Sequence, residues 1–193
     1  MTFRSLVIMV LCCVSFQLNA QDFRVKTGDI QLNASVGLLP TYTADASSTI
    51  VPPLSVSAEV FLNPNFSLGF SGSYSQYEGE YVNLNAGVAE YYETSTVIVA
   101  LRSAVHSNDL NGWRVYGGLA VGANLPEVDK TVELLAGEQT RDDEIPSFSR
   151  PQDSSLLFSG FVGTRKTINA HWSIYGELGF GISLANIGAS YKF

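Results

Sequence analysis

The sequence predicts an all-β fold, eight antiparallel strands closed into an up-and-down barrel, and three features carry that prediction. Stretches of about ten residues alternate apolar and polar side chains with a period of two. The links between them are alternately short and long. Charged residues fill only 15% of the 193 positions, against about 25% in an ordinary soluble domain.

The chain opens with Arg4, an apolar run over residues 6–16 and the small residue Ala20. This is the layout of a secretory signal peptide, predicting cleavage after Ala20 and a mature domain over 21–193. Both cysteines, Cys12 and Cys13, fall in the segment to be removed, so the exported domain has no disulfide to staple it.

The first strand is expected over 30–38, where Ile30, Leu32, Ala34, Val36 and Leu38 alternate with Gln31, Asn33, Ser35 and Gly37. The second, 54–62, sets Leu54, Val56, Val60 and Leu62 against Ser55, Ser57 and Glu59. After the tight turn Asn63-Pro64-Asn65, the third runs over 66–74 with Phe66, Leu68, Phe70 and Tyr74 on one parity. The fourth is placed at about 94–105 with Arg102 on the polar parity, and the fifth at 113–123 with Arg114 and Tyr116 opposite Leu119 and Val121. The sixth, about 155–168, sets Phe158 and Val162 against Ser159 and Arg165; the seventh, 172–180, sets Ile174 and Leu178 against Tyr175 and Glu177. The eighth, 185–193, alternates Ile187, Ala189, Tyr191 and Phe193 with Gly188, Ser190 and Lys192.

Long links are expected at about 40–53, 76–93 and 125–154, and short ones around Pro64, 107–111 and 169–170, with a brief turn near Ser183. In an antiparallel barrel this gathers the short turns at one end and the long loops at the other. That is the habit of bacterial outer-membrane barrels.

Alternation alone leaves open which face is apolar outside. A soluble lipocalin-like barrel turns its apolar parity inward and covers the outside with Lys and Glu. Here the polar parity is mostly Ser, Gly, Asn and Thr, which suits a narrow lumen. The apolar parity then faces lipid, giving an eight-stranded antiparallel up-and-down transmembrane β-barrel. The few strand charges, Glu59, Arg102, Arg114, Arg165, Glu177 and Lys192, fall on the inner face as a mutually neutralising network whose surplus positive charge must find backbone, tyrosine or water, because lone buried ions cost several kcal/mol. Trp113 and Trp172 start strands at the short-turn end, with Tyr191 and Phe193 beside them. Tyr74, Tyr77, Tyr91 and Tyr92 lie toward the long-loop end, so aromatic belts at both interfaces are expected, with Trp113, Trp172, Tyr74 and Tyr91 as members.

The stretch Gly179–Phe193 resembles the terminal strand of outer-membrane β-barrel proteins, alternating apolar positions closed by an aromatic residue. The size of the barrel looks like the OmpA-barrel and OmpX type. This resemblance implies the outer membrane of a Gram-negative cell, outer-membrane lipid as surroundings, and the barrel-assembly machinery as the reader of Ile187, Ala189, Tyr191 and Phe193.

The net charge of −7, from 18 acidic and 11 basic residues, excludes a nucleic-acid platform. Residues 163–167 lack the glycine a phosphate loop places before its lysine, and no Gly-x-Ser-x-Gly elbow is present. His106 and His171, the only histidines, are expected as surface residues at the short-turn end. No catalytic residue, metal or cofactor is predicted. The long loop 125–154 is acidic and offers a surface for an extracellular partner. The function read from the sequence is a structural or surface-interaction barrel with a filled lumen; a narrow channel and a soluble ligand-binding barrel stay open beside it.

Overall fold

The computed structural model describes residues 25–42, 46–83, 88–134 and 154–193. The expected signal segment lies outside them. The strands are β1 (Ile30–Gly37), β2 (Ser48–Asn63), β3 (Phe66–Asn83), β4 (Val88–His106), β5 (Trp113–Leu134), β6 (Ser155–Thr167), β7 (Trp172–Gly179) and β8 (Ala185–Lys192). Each pairs antiparallel with the next, and β8 pairs with β1 to close the barrel.

Two-residue parity is visible in every pairing. Leu32 faces Ala58 and Tyr191 across its two ladders, while Asn33 faces Ser57 and Ser190 on the other surface. Phe70, Leu119 and Phe158 stand 72%, 65% and 71% exposed, whereas Gln31, Asn33, Glu59 and Arg165 are buried. The oily parity therefore faces out and the polar parity lines the lumen.

The short turns have local causes. Asn111 and Gly112 both take positive φ, 56° and 81°, and Leu110 and Trp113 exchange two backbone hydrogen bonds around them. Asn-Gly in a two-residue hairpin is the sequence that tolerates this mirror-image turn. The Asn169 side chain accepts from the N–H groups of His171 and Trp172 at 3.0 and 2.8 Å, an Asx turn that reverses the chain before β7.

Lumen rings lie over glycines of the next strand. A Cβ on Gly163 would sit 2.5 Å from the Tyr116 ring, and one on Gly118 would sit 2.7 Å from the Phe161 ring. Gly118 also approaches the Ser103 carbonyl so closely that a Cβ would sit 1.9 Å from it. Glycine at these positions gives the rings flat ground on which to fill the barrel, a device that also curves a sheet.

Three boundaries differ from expectation. β3 and β4 run on through most of the expected link 76–93, β5 continues to Leu134, and β2 starts at Ser48, so Pro52 and Pro53 lie inside a strand. Along these extensions the polarity reverses. On β5 the outward series passes from Leu125 to Glu127 and Asp129, while Val128 turns inward and is buried. On β4 it passes from Val97 through Ser95 to Glu93, with Tyr92 buried; on β3 from Tyr74 through Gln76 to Glu78, with Tyr77 buried. An apolar-outside template stops at the reversal and reads the rest as loop, although the period of two continues. Of the acidic segment 125–154, residues up to 134 thus belong to β5, and 135–153 lie outside the described residues.

Candidate functional site: the barrel lumen

The lumen interior is built in three levels. At the short-turn end, Phe61 is fully buried and Ser67 is 1% exposed. His106 packs between rings, 4.9 Å from Phe61 and 5.6 Å from Tyr116, because it ends β4 on the inward parity. It is 3% exposed, which corrects the expectation of a surface histidine; His171 is exposed and stacks on Tyr191 at 5.5 Å.

Ser67 Oγ lies 2.8 Å from His106 Nε2 and donates to Glu59 Oε2 at 3.1 Å. A hydroxyl carries one proton. With that proton on Glu59, His106 Nε2–H is the donor to Ser67, the reverse of a base drawing a proton from a nucleophile. The acid also sits on the serine instead of orienting the imidazole from Nδ1 as a triad requires.

In the middle level Arg102 holds Glu177 bidentately, Nη1 to Oε1 at 3.1 Å and Nη2 to Oε2 at 2.7 Å. Its Nε lies 3.7 Å from Glu59 Oε1, and its guanidinium is 3.9 Å from the centroid of the Phe161 ring. Tyr116 donates to Glu177 at 3.1 Å. One arginine thus takes both lumen carboxylates.

The other predicted charges are held separately. Arg165 donates to Gln31 Oε1 at 2.9 Å and Asn33 Oδ1 at 3.1 Å, and lies 5.0 and 5.6 Å from the rings of Tyr116 and Tyr175. Arg114 donates to the carbonyls of Ser107 and Pro64, tying two short turns together. Lys192 sits 3.6 Å from Asp29 at the barrel's lower rim, outside the central cluster. The expected pooled network therefore resolves into one triad, two arginines on neutral oxygens, and a rim pair.

A cavity of about 80 Å³ borders Arg102 and its partners. Serine hydroxyls, Asn33, Asn186, Arg165 and Glu177 line it. At the long-loop end Tyr42 and Tyr77 stack at 4.3 Å, with Tyr92 and Val128 buried against them. Ile182 and Ser183 are also buried, and Thr41 donates to the Gly181 and Ile182 carbonyls. Tyr77 and Tyr92 are therefore interior residues and not part of an outer belt.

Trp113, Trp172 and Tyr74 stand on the outer face at the ends of the apolar band, 49%, 49% and 37% exposed. Tyr91 also points outward, but it lies six positions past Val97 and beyond Glu93, about 20 Å along the strand from the last apolar position. Ile187 and Phe193 are exposed on the outward parity of the β8 segment, with Ala189 and Tyr191 half-buried between them. Among the described residues no group of three His, Cys, Asp or Glu could hold a metal ion.

No protein-family model and no curated protein matches the chain. Solved structures do. The outer membrane protein OprG from Pseudomonas aeruginosa superposes with a TM-score of 0.56 at 15% identity, covering 90% of this chain and 99% of that one. The N-terminal β-barrel domain of Pseudomonas aeruginosa OprF gives 0.46 at 14% identity, over 88% and 100% of the two chains, and Neisserial surface protein A gives 0.43 at 16%, over 87% and 98%. The chain has the fold of the eight-stranded outer-membrane β-barrels.

Proposed function

We propose that the chain is an integral protein of a Gram-negative outer membrane, exported by its N-terminal segment, with a closed lumen and a structural or surface-interaction role that involves no catalysis. The observation that carries this reading is the reversal of polarity along β3, β4 and β5. A strand reads its solvent side chain by side chain. Below the reversal the outer face is mostly Val, Leu and Phe; above it Glu78, Glu93, Glu127 and Asp129 take the outer parity while Tyr77, Tyr92 and Val128 turn inward. Hydrocarbon outside the first zone and water outside the second account for both halves of the pattern.

Magnitudes argue the same way. Among the described residues 34 large hydrophobic side chains are exposed. Full burial of each is worth about 1.5–3 kcal/mol, so leaving them in water forfeits several times the 5–15 kcal/mol by which a domain is stable. A lipocalin-like soluble barrel has the opposite polarity. The narrow-channel reading finds little support in Phe61, Ser67 and Arg114, which fill the short-turn end.

The same reading assigns outer-membrane lipid as the surroundings and Trp113, Trp172 and Tyr74 as interface residues. The barrel-assembly machinery is the partner of Ile187, Ala189, Tyr191 and Phe193 during biogenesis. An extracellular partner would meet the rim formed by the β3–β5 extensions. Fractionation tests the proposal: the protein should sediment with outer membranes, need detergent for extraction, and change electrophoretic mobility on boiling. Recovery in the aqueous periplasmic fraction would refute it.

A further inference from the structure

The charges buried in the lumen do not balance. Arg102, Arg114 and Arg165 face Glu59 and Glu177, and Arg102 takes both acids. Among the described residues Arg165 has no carboxylate within ion-pair distance, although it is only 6% exposed. Its partners Gln31 and Asn33 are neutral. Of its five N–H donors two are used in those contacts, and its buried Nε–H donates to no protein atom. An uncompensated buried cation is costly, and a buried donor without a partner calls for an explanation. Arg165 also borders the 80 Å³ cavity, together with Ser35, Ser57 and Asn33; Glu59 and Glu177 border it too, with Arg102 against both of them.

We propose that this cavity is a binding site for a small carboxylate monoanion, with Arg165 as its charged ligand. A charged guanidinium with N–H donors beyond its two bonds to Gln31 and Asn33 matches the chemistry of a carboxylate. The bound charge brings the three arginines and two glutamates to neutrality. The cavity volume accommodates formate or acetate with a few waters. Serine hydroxyls rotate to donate to an anion as readily as they accept from water.

Equilibrium unfolding of the refolded barrel in detergent micelles tests this, and it needs no entry path into the folded lumen. Sodium formate is varied at constant ionic strength against sodium gluconate, whose anion is far bulkier. A ligand that binds only the folded state raises the urea midpoint with concentration. The wild type should show a rising, formate-dependent midpoint. Gln31→Glu places a carboxylate on Arg165 at the position of the present 2.9 Å contact and should abolish the formate dependence; Arg165→Gln should abolish it too. If Arg165→Gln fails to refold, Gln31→Glu decides alone. A wild-type midpoint indifferent to formate, or an equal formate shift in Gln31→Glu, would overturn the proposal. Neither outcome bears on whether the barrel resides in a membrane.

Discussion

Arg102 on β4 and Glu177 on β7 share a bidentate ion pair across the lumen, 2.7 Å at its shorter contact. The two strands have no backbone ladder in common. The pair therefore braces the barrel through its interior where hydrogen-bonded pairing cannot, and it draws Glu59 of β2 into the same contact. Removing one partner leaves an uncompensated buried charge, which costs about 3–5 kcal/mol. Arg102→Gln should lower stability by that order, because it orphans two acids; Glu177→Gln should cost less, because Glu59 remains beside Arg102. Urea unfolding followed by tryptophan fluorescence measures both, and equal losses would contradict the geometry.

Rings over glycines give a second prediction. Gly163→Ala places a methyl group against the Tyr116 ring and should destabilise by about 1–3 kcal/mol through overpacking. Combining it with Tyr116→Ala should cost less than the two single changes added together, a coupling a double-mutant cycle detects.

The polarity reversal fixes where lipid should end. Leu119→Arg lies in the apolar band and should cost about 2–4 kcal/mol in a bilayer. Asp129→Arg, outward on the same strand beyond Glu127, should change stability by less than about 0.5 kcal/mol, as surface substitutions usually do. Refolding into vesicles at graded urea compares them; equal penalties would place the boundary elsewhere.

Strand extension changes what the segment before β6 can lose. Replacing 135–153 by a short Gly-Ser link should leave heat-modifiable migration intact. Extending the deletion back to 127 removes the ladder partners of Tyr91, Glu93 and Ser95 on β4 and should impair folding. Electrophoresis with and without boiling separates the two deletions.

The terminal aromatic concerns assembly more than stability. Phe193 is 64% exposed on the outer wall, so Phe193→Ala should leave refolding in detergent within about 1 kcal/mol of wild type. In cells the same change should reduce the amount of folded protein in the outer membrane, measured by quantitative blotting. Loss of both in equal proportion would make the role purely structural.

Strand faces were legible in the sequence wherever one solvent lay outside. Ile30 to Leu38 and Trp113 to Leu125 keep one polarity, and a period of two needs no tertiary information. The same rule failed at Tyr77, Tyr92, Glu127 and Asp129, where the period persists but the outside changes from oil to water. His106 failed for a related reason: a single polar residue at a strand end carries no sign of the rings that close over it, since Phe61 and Tyr116 come from other strands.

The amino-acid order by itself determined how many strands form, which parity faces outward in the apolar band and that arginines and glutamates share the interior, because local alternation and turn chemistry act over neighbouring residues. Only the closed barrel decided that Arg102 takes both acids and that Arg165 is left with neutral oxygens. Those partnerships depend on the stagger with which eight strands close, and stagger brings together residues 75 and 134 positions apart, a distance over which no local pattern carries information.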